Sequence, residues 1–319
     1  MSRYNEDLQR QLSDFMEKNG LSQAKLAPML GLSQTALSQW RNSKYERGNI
    51  EEVESKVEEF LKFEREKEIS QTEKRNNQYR TLQGYIPTSV SEDVYKLIQF
   101  CHYEKGMVIA HGDAGIGKTK GAERYFKDNP TSTVYIQATP SSGSLGTLLK
   151  LIARELKLNE KVNKLDLILS IREKLESSNK VIIIDEAQHL KLSALEEIRT
   201  LSDPNDITGS KGTGIVLIGN TEVYSKMLGK QEAKFAQLFS RIRLNKYYNT
   251  KKILVEDIRL LFPAVAEDKE VIEFLLGISR SKWGIRGAVN IYNNAVSSDD
   301  LSVTGLKNMA VSMGVGIVK

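Results

Sequence analysis

Gly112-Asp113-Ala114-Gly115-Ile116-Gly117-Lys118-Thr119 fits the pattern G-x-x-x-x-G-K-S/T at every fixed position, and its flanks have the character that the pattern needs. Upstream, Met107-Val108-Ile109-Ala110 is a short apolar run that reads as a buried parallel strand; downstream, GKTKGAERYF reads as the start of a helix. A strand feeding a helix through glycines aims consecutive backbone N–H groups and the positive end of a helix dipole at one place. That place suits the phosphates of a nucleoside triphosphate. The residues from Gly112 to Thr119 cradle them, with Lys118 near the β- and γ-phosphates and the Thr119 hydroxyl on Mg2+.

A second run, Val181-Ile182-Ile183-Ile184, is β-branched and continuously apolar, as a strand buried on both faces must be, and it ends in Asp185-Glu186. Ligands of open α/β sheets lie beyond the carboxyl ends of the strands, so this acidic pair is expected to face the glycine-rich loop. Asp185 then belongs to the nucleotide and its Mg2+, and Glu186 is the group that polarises the attacking water. Alone, an acidic pair after a strand is an ordinary solvated turn; downstream of a matched phosphate loop the catalytic reading is preferred. A third run, Gly214-Ile-Val-Leu-Ile-Gly219, closes in Asn220.

In this order the parts resemble the AAA+ ATPases. The resemblance implies that Asn220 helps to position the lytic water. It also implies that Arg241, in Leu238-Phe-Ser-Arg-Ile-Arg243, is an arginine finger, with Arg243 as the alternative. Trp283-Gly-Ile-Arg286-Gly-Ala resembles a sensor motif that gives Arg286 a phosphate-sensing role within its own subunit. A rival signal, Asn163-Lys-Leu-Asp166, spells the guanine-reading N-K-x-D of GTPases, yet it precedes the acidic strand, and DEAQ lacks the glycine of a GTPase switch. Asn163 reads better as a helix cap, so the base is expected to be adenine and the cofactors ATP and Mg2+.

The beginning of the chain carries a different chemistry. In LSQAKLAPMLGLSQTALSQWRNSKY, Ala27, Gly31, Leu37 and Trp40 have the spacing of a helix-turn-helix, and the stretch resembles the repressor-type family of that name. Ala27 lets two helices approach, Gly31 takes the turn, and Leu37 and Trp40 pack the second helix on the first. Ser33 then caps a recognition helix that presents Gln34, Thr35, Ser38 and Gln39 outward, short polar groups of the kind that base edges and phosphates accept. Glu51, Glu52, Glu54, Glu58 and Glu59 follow closely and dilute the positive charge, so this module alone is expected to bind DNA modestly.

Composition agrees with a partner of negative charge. Forty-six Lys and Arg against 41 Asp and Glu give a formal net charge of +5, and the isoelectric point is near 9.0. Cys101 is the single cysteine, which excludes an intramolecular disulfide and a thiolate metal cluster, and the three histidines are too scattered for zinc. His111 reads as a packed residue at a strand end. Neither a signal peptide nor a bilayer-spanning run is expected, and the expected location is the cytoplasm of a bacterial host cell.

The chain is expected to divide into a helix-turn-helix domain over 1–63, a charged linker or extended solvated helix over 64–84, an α/β ATPase core over 85–249 with a parallel sheet covered by helices on both faces, and a helical lid over 250–319. That arrangement, with GDAGIGKT, VIIIDEAQHL, VLIGN and FAQLFSRI, resembles the phage Mu-type target-selection ATPases and their transposon relatives over essentially the whole chain. The resemblance implies an ATPase that binds double-stranded DNA with little regard to sequence, self-associates into an ATP-dependent helical filament and delivers target to a transposase that it stimulates. In such a filament the core grips phosphates, and Thr139, Ser141, Ser142, Lys161 and Lys164 are its candidate contacts. A replication helicase loader or initiator, and a transcription regulator switched by ATP, share enough of these parts to stand as alternatives.

Overall fold

The computed structural model describes residues 4–45, 49–76, 84–205, 209–228 and 242–315. The chain divides into two compact units, 1–78 and 79–319, and each is described by itself.

Four helices build the first unit: α1 (Glu6–Lys18), α2 (Gln23–Met29), α3 (Gln34–Arg41) and α4 (Ile50–Asn76). Leu12, Leu26, Ala27, Leu37 and Trp40 are all buried at its centre, and Gly31 makes the turn between α2 and α3 with a φ of +62°. The Trp40 indole N–H donates to the Glu54 carboxylate (3.4 Å), which also accepts from the Asn5 N–H (2.8 Å), so α4 ties α1 and α3 together. Buried apolar residues on α4 recur at Ile50, Val53, Val57 and Leu61. The helix itself runs on to Asn76 through charged sequence that carries no apolar stripe.

A five-stranded parallel sheet organises the second unit. Its strands are β1 (Gly106–Gly112), β2 (Thr133–Gln137), β3 (Val181–Asp185), β4 (Gly214–Gly219) and β5 (Ile242–Tyr248), in spatial order β2-β3-β4-β1-β5. Alternate residues serve opposite faces: Val108, Ala110, Val181, Ile183, Val216 and Ile218 join one apolar cluster, and Met107, Ile109, Ile182, Ile184, Ile215 and Leu217 the other. The second face is covered by α7 (Leu145–Glu155), α8 (Lys164–Glu176) and α9 (Leu192–Ser202). The first packs against α5 (Ser89–Glu104) and α6 (Lys118–Asp128), while α10 (Thr221–Leu228) follows β4. β5 was not foreseen from the sequence. It is an edge strand, and most of its side chains are exposed, so its polar sequence IRLNKYY lacks the apolar run that betrays a central strand.

The lid helices α11 (Val255–Leu261), α12 (Lys269–Ser279), α13 (Gly284–Ser297) and α14 (Val303–Ser312) share their core with α5, α6 and the first face of the sheet. Asp257 fastens them, because its buried carboxylate accepts from the Ser89 N–H and hydroxyl (both 2.6 Å) and from the Leu254 N–H (3.2 Å). Cys101 lies buried on α5, and burial pushes its thiol pKa up to about 12. No helix among the described residues is long and apolar enough to cross a membrane.

Candidate active site

The loop between β1 and α6 is shaped by contacts that leave no room for side chains. Gly112 has a φ of +133° and lies so close to the Tyr248 carbonyl that a methyl group there would collide with it. Lys118, buried at the start of α6, donates from Nζ to the carbonyl oxygens of Gly112 (3.0 Å) and Asp113 (2.6 Å). Burial lowers its pKa from 10.5 to about 8; the carboxylates of Asp185, Glu186 and Asp113 pull the other way, and Arg286 adds to the lowering. A buried ammonium that rests on carbonyls is a site in need of an anion, and phosphate oxygens meet that need.

Asp113 departs from the sequence expectation that every loop residue faces the nucleotide. Its N–H donates to the Tyr248 carbonyl (2.9 Å), and its carboxylate accepts from the Thr250 N–H (2.8 Å) and hydroxyl (2.9 Å). The residue is turned away from the cleft and fastens the loop to the entrance of the lid.

Asp185 closes β3 with only 1% of its surface exposed. Its carboxylate accepts from the Glu186 N–H (2.8 Å) and the Tyr135 hydroxyl (3.0 Å), and the Thr119 hydroxyl lies beside it. Burial raises its pKa and these hydrogen bonds oppose the rise. Thr119 and Asp185 thus stand together as hard oxygen donors, the set that suits Mg2+. Glu186 is held in the left-handed region at φ 54°, ψ 37°, a conformation that costs a non-glycine residue on the order of 1 kcal/mol or more. Its carboxylate accepts from the side-chain amide of Gln188, whose oxygen accepts in turn from the Asn220 N–H (3.3 Å). The Asn220 side chain accepts from the Glu222 N–H (2.8 Å), at the start of α10. Arg286 comes from the first turn of α13, where its backbone N–H donates to the Gly115 carbonyl (3.0 Å).

Lys118, Thr119, Asp185, Glu186, Asn220 and Arg286 line one cleft of about 550 Å3, of the size that small-molecule sites have. Part of its wall is apolar, formed by Ile86, Leu261, Ile285 and Val289. Sequence reasoning missed this wall, because the four residues come from separate segments and each looks like any other core position.

Comparison with known proteins agrees in both units. Residues 101–227 match the family described as AAA domain, and residues 12–50 the family described as Helix-turn-helix. Over 294 residues the chain is 30% identical to the ATP-dependent target DNA activator B of Escherichia phage D108, a match that covers 91% of this chain and 86% of that protein. The chain belongs to the family of these target DNA activator B proteins. The activator B of Escherichia phage Mu is 29% identical over 91% of this chain and 86% of its own length. The Mu-like prophage FluMu DNA transposition protein B of Haemophilus influenzae is 29% identical over 88% and 93%. Among solved structures, the ORC2 protein of Aeropyrum pernix shares the fold, with a TM-score of 0.50 at 18% identity over 74% of this chain and 70% of that one. This chain is an ATPase with an AAA core.

The DNA-facing candidates fall in both units. In the first unit α3 exposes Gln34, Thr35 and Gln39 and half-buries Ser38, and the Ser33 hydroxyl caps the helix by accepting from the Ala36 N–H (3.1 Å). In the second unit Thr139 and Ser141 are exposed, whereas Ser142 is buried. Its hydroxyl accepts from the Thr139 N–H (2.7 Å) and donates to the Thr139 carbonyl (3.1 Å), so it shapes the loop and offers nothing to a phosphate. Lys161 and Lys164 are exposed on either side of Asn163, which caps α8 by accepting from the Asp166 N–H (3.0 Å). Arg241 lies outside the described residues. Arg243 is the second residue of β5, pairs with Glu104 (3.7 Å) and sits at the amino end of the sheet, opposite the carboxyl ends of β1, β3 and β4, where the cleft opens.

Proposed function

We propose that this chain is an ATP-dependent DNA-binding protein of transposition. It assembles with further copies into a filament on double-stranded DNA with little regard to sequence, delivers that DNA as target and activates a transposase. The observation that carries the reading is the convergence of Lys118, Asp185, Glu186, Asn220 and Arg286 on one cleft, in a chain that matches target DNA activators over about nine-tenths of its length.

In this reading the loop N–H groups and Lys118 hold the phosphates, and the wall of Ile86, Leu261, Ile285 and Val289 receives the adenine. Thr119 and Asp185 hold Mg2+, which when bound offsets negative charge on the phosphoryl oxygens. Glu186 takes the proton of the attacking water, Asn220 helps to orient that water, and Arg286 responds to the γ-phosphate. Arg241 reaches the γ-phosphate of a neighbouring copy. The match to the Helix-turn-helix family and the exposed polar face of α3 support a DNA contact in the first unit; exposed Thr139, Ser141, Lys161 and Lys164 support another on the ATPase unit.

Glu186→Gln tests the assignment directly. It keeps ATP and Mg2+ binding, lowers turnover at least ~100-fold and lengthens the lifetime of DNA complexes, as loss of a water-activating carboxylate requires. Turnover at the wild-type rate would overturn it.

A further inference from the structure

The turn that follows the acidic pair, Ala187–His189, is too short to be a conventional helix, yet it is fixed on three sides. The Gln188 amide spans two of them, bonding to the Glu186 carboxylate at one end and to the Asn220 N–H (3.3 Å) at the other. Its orientation is determined by its neighbours: a backbone N–H demands the oxygen and a carboxylate demands the NH2 group. Gly219 touches the same amide so closely that any side chain there would strike the Gln188 oxygen. On the third side, Lys191 donates its N–H to the Gly143 carbonyl (2.9 Å), and a side chain at position 143 would strike the His189 carbonyl.

We infer that Gln188 is a positioning residue for hydrolysis, tying the carboxylate of Glu186 to the backbone of Asn220 and so fixing the two groups that handle the attacking water. The inference rests on the roles proposed for Glu186 and Asn220. Its physical content is orientation. A glutamate side chain has three rotatable bonds, and a carboxylate that samples them spends little time aimed at the water; one charge-assisted hydrogen bond selects a single aim. The Asn220 N–H needs only an acceptor, whereas the donor end of Gln188 is what holds the Glu186 carboxylate.

Steady-state ATP hydrolysis by the full-length protein with duplex DNA tests this. Gln188→Ala lowers kcat about tenfold or more and leaves KM and ATP affinity within about twofold. Gln188→Glu keeps an acceptor for the Asn220 N–H but sets a like charge against Glu186, so it is at least as slow as Gln188→Ala. In a Glu186→Gln background, Gln188→Ala lowers the residual rate by no more than about twofold, because its effect passes through Glu186. A wild-type kcat in Gln188→Ala or Gln188→Glu overturns the inference, as does a full tenfold loss on top of Glu186→Gln. If Glu186→Gln itself turns over normally, the catalytic assignment and this inference both fail. If it is slow while Gln188→Ala is normal, only the inference fails.

Discussion

The ammonium of Lys118 is buried under the loop it serves, and its pKa of about 8 has a consequence that can be measured. The folded value lies below the unfolded one of 10.5, so between the two the folded state holds fewer protons; the cost of burying the charge is present below about pH 8 and is relieved as pH rises towards 10.5. Phosphate beside Nζ acts in the opposite sense and restores the proton. ATP binding near pH 9 therefore takes up protons, whereas near pH 6.5 it takes up almost none, and affinity declines as pH rises above about 8. Calorimetry in buffers of different ionisation enthalpy reads this, and equal uptake at the two pH values would refute it. Lys118→Ala abolishes nucleotide binding. At this scale the fixed positions of the phosphate loop were legible because glycine, lysine and threonine each answer a demand that the nucleotide makes. The x positions answer to the fold instead, and for that reason Asp113 was read as facing the nucleotide and lies against Thr250. Gln188 was equally silent, since two of the groups it bonds lie on a residue two places back and on one thirty-two places on.

Helices and strands were legible where burial is two-sided and hidden where it is not. The β-branched run of β3 announces itself; β5 does not, since an edge strand needs only one apolar face. The charged part of α4 likewise gives no periodic signal, and whether it was linker or helix stayed open until the helix was traced to Asn76. The apolar wall of the cleft was out of reach for a topological reason: Ile86 precedes α5, and Leu261, Ile285 and Val289 lie on two lid helices that meet it only in the fold. Asp257 holds that junction. Asp257→Ala leaves the Ser89 and Leu254 N–H groups and the Ser89 hydroxyl without their acceptor, and the expected loss is about 2–3 kcal/mol of unfolding free energy. Urea titration of wild type and variant measures it; a change under about 0.5 kcal/mol would show that water or other groups replace the carboxylate.

For the molecule as a whole, the division into two units sets the experiments. Removing residues 1–76, a cut at the end of α4 and not within it, leaves a protein that hydrolyses ATP and still assembles on DNA with reduced affinity. Lys161→Glu with Lys164→Glu abolishes that assembly and leaves nucleotide binding intact, and replacing either lysine alone with Ala reduces the salt slope of DNA binding by roughly one. If the truncated protein loses DNA altogether while the double reversal changes nothing, the first unit is the principal DNA site. Arg241→Ala binds ATP without hydrolysing it, and mixing it with Lys118→Ala restores activity if one copy completes the site of the next. Failure of rescue at every ratio would place the finger elsewhere. These measurements gain from the state of Cys101. A single thiol buried in α5, with its pKa pushed up to about 12, is inert to maleimides near neutral pH. The native chain is therefore already a blank background for site-specific chemistry. A cysteine introduced at Gln39 or at Lys164 becomes the only reactive handle, so that a fluorophore or a DNA crosslinker reports from one unit at a time without any native cysteine being replaced.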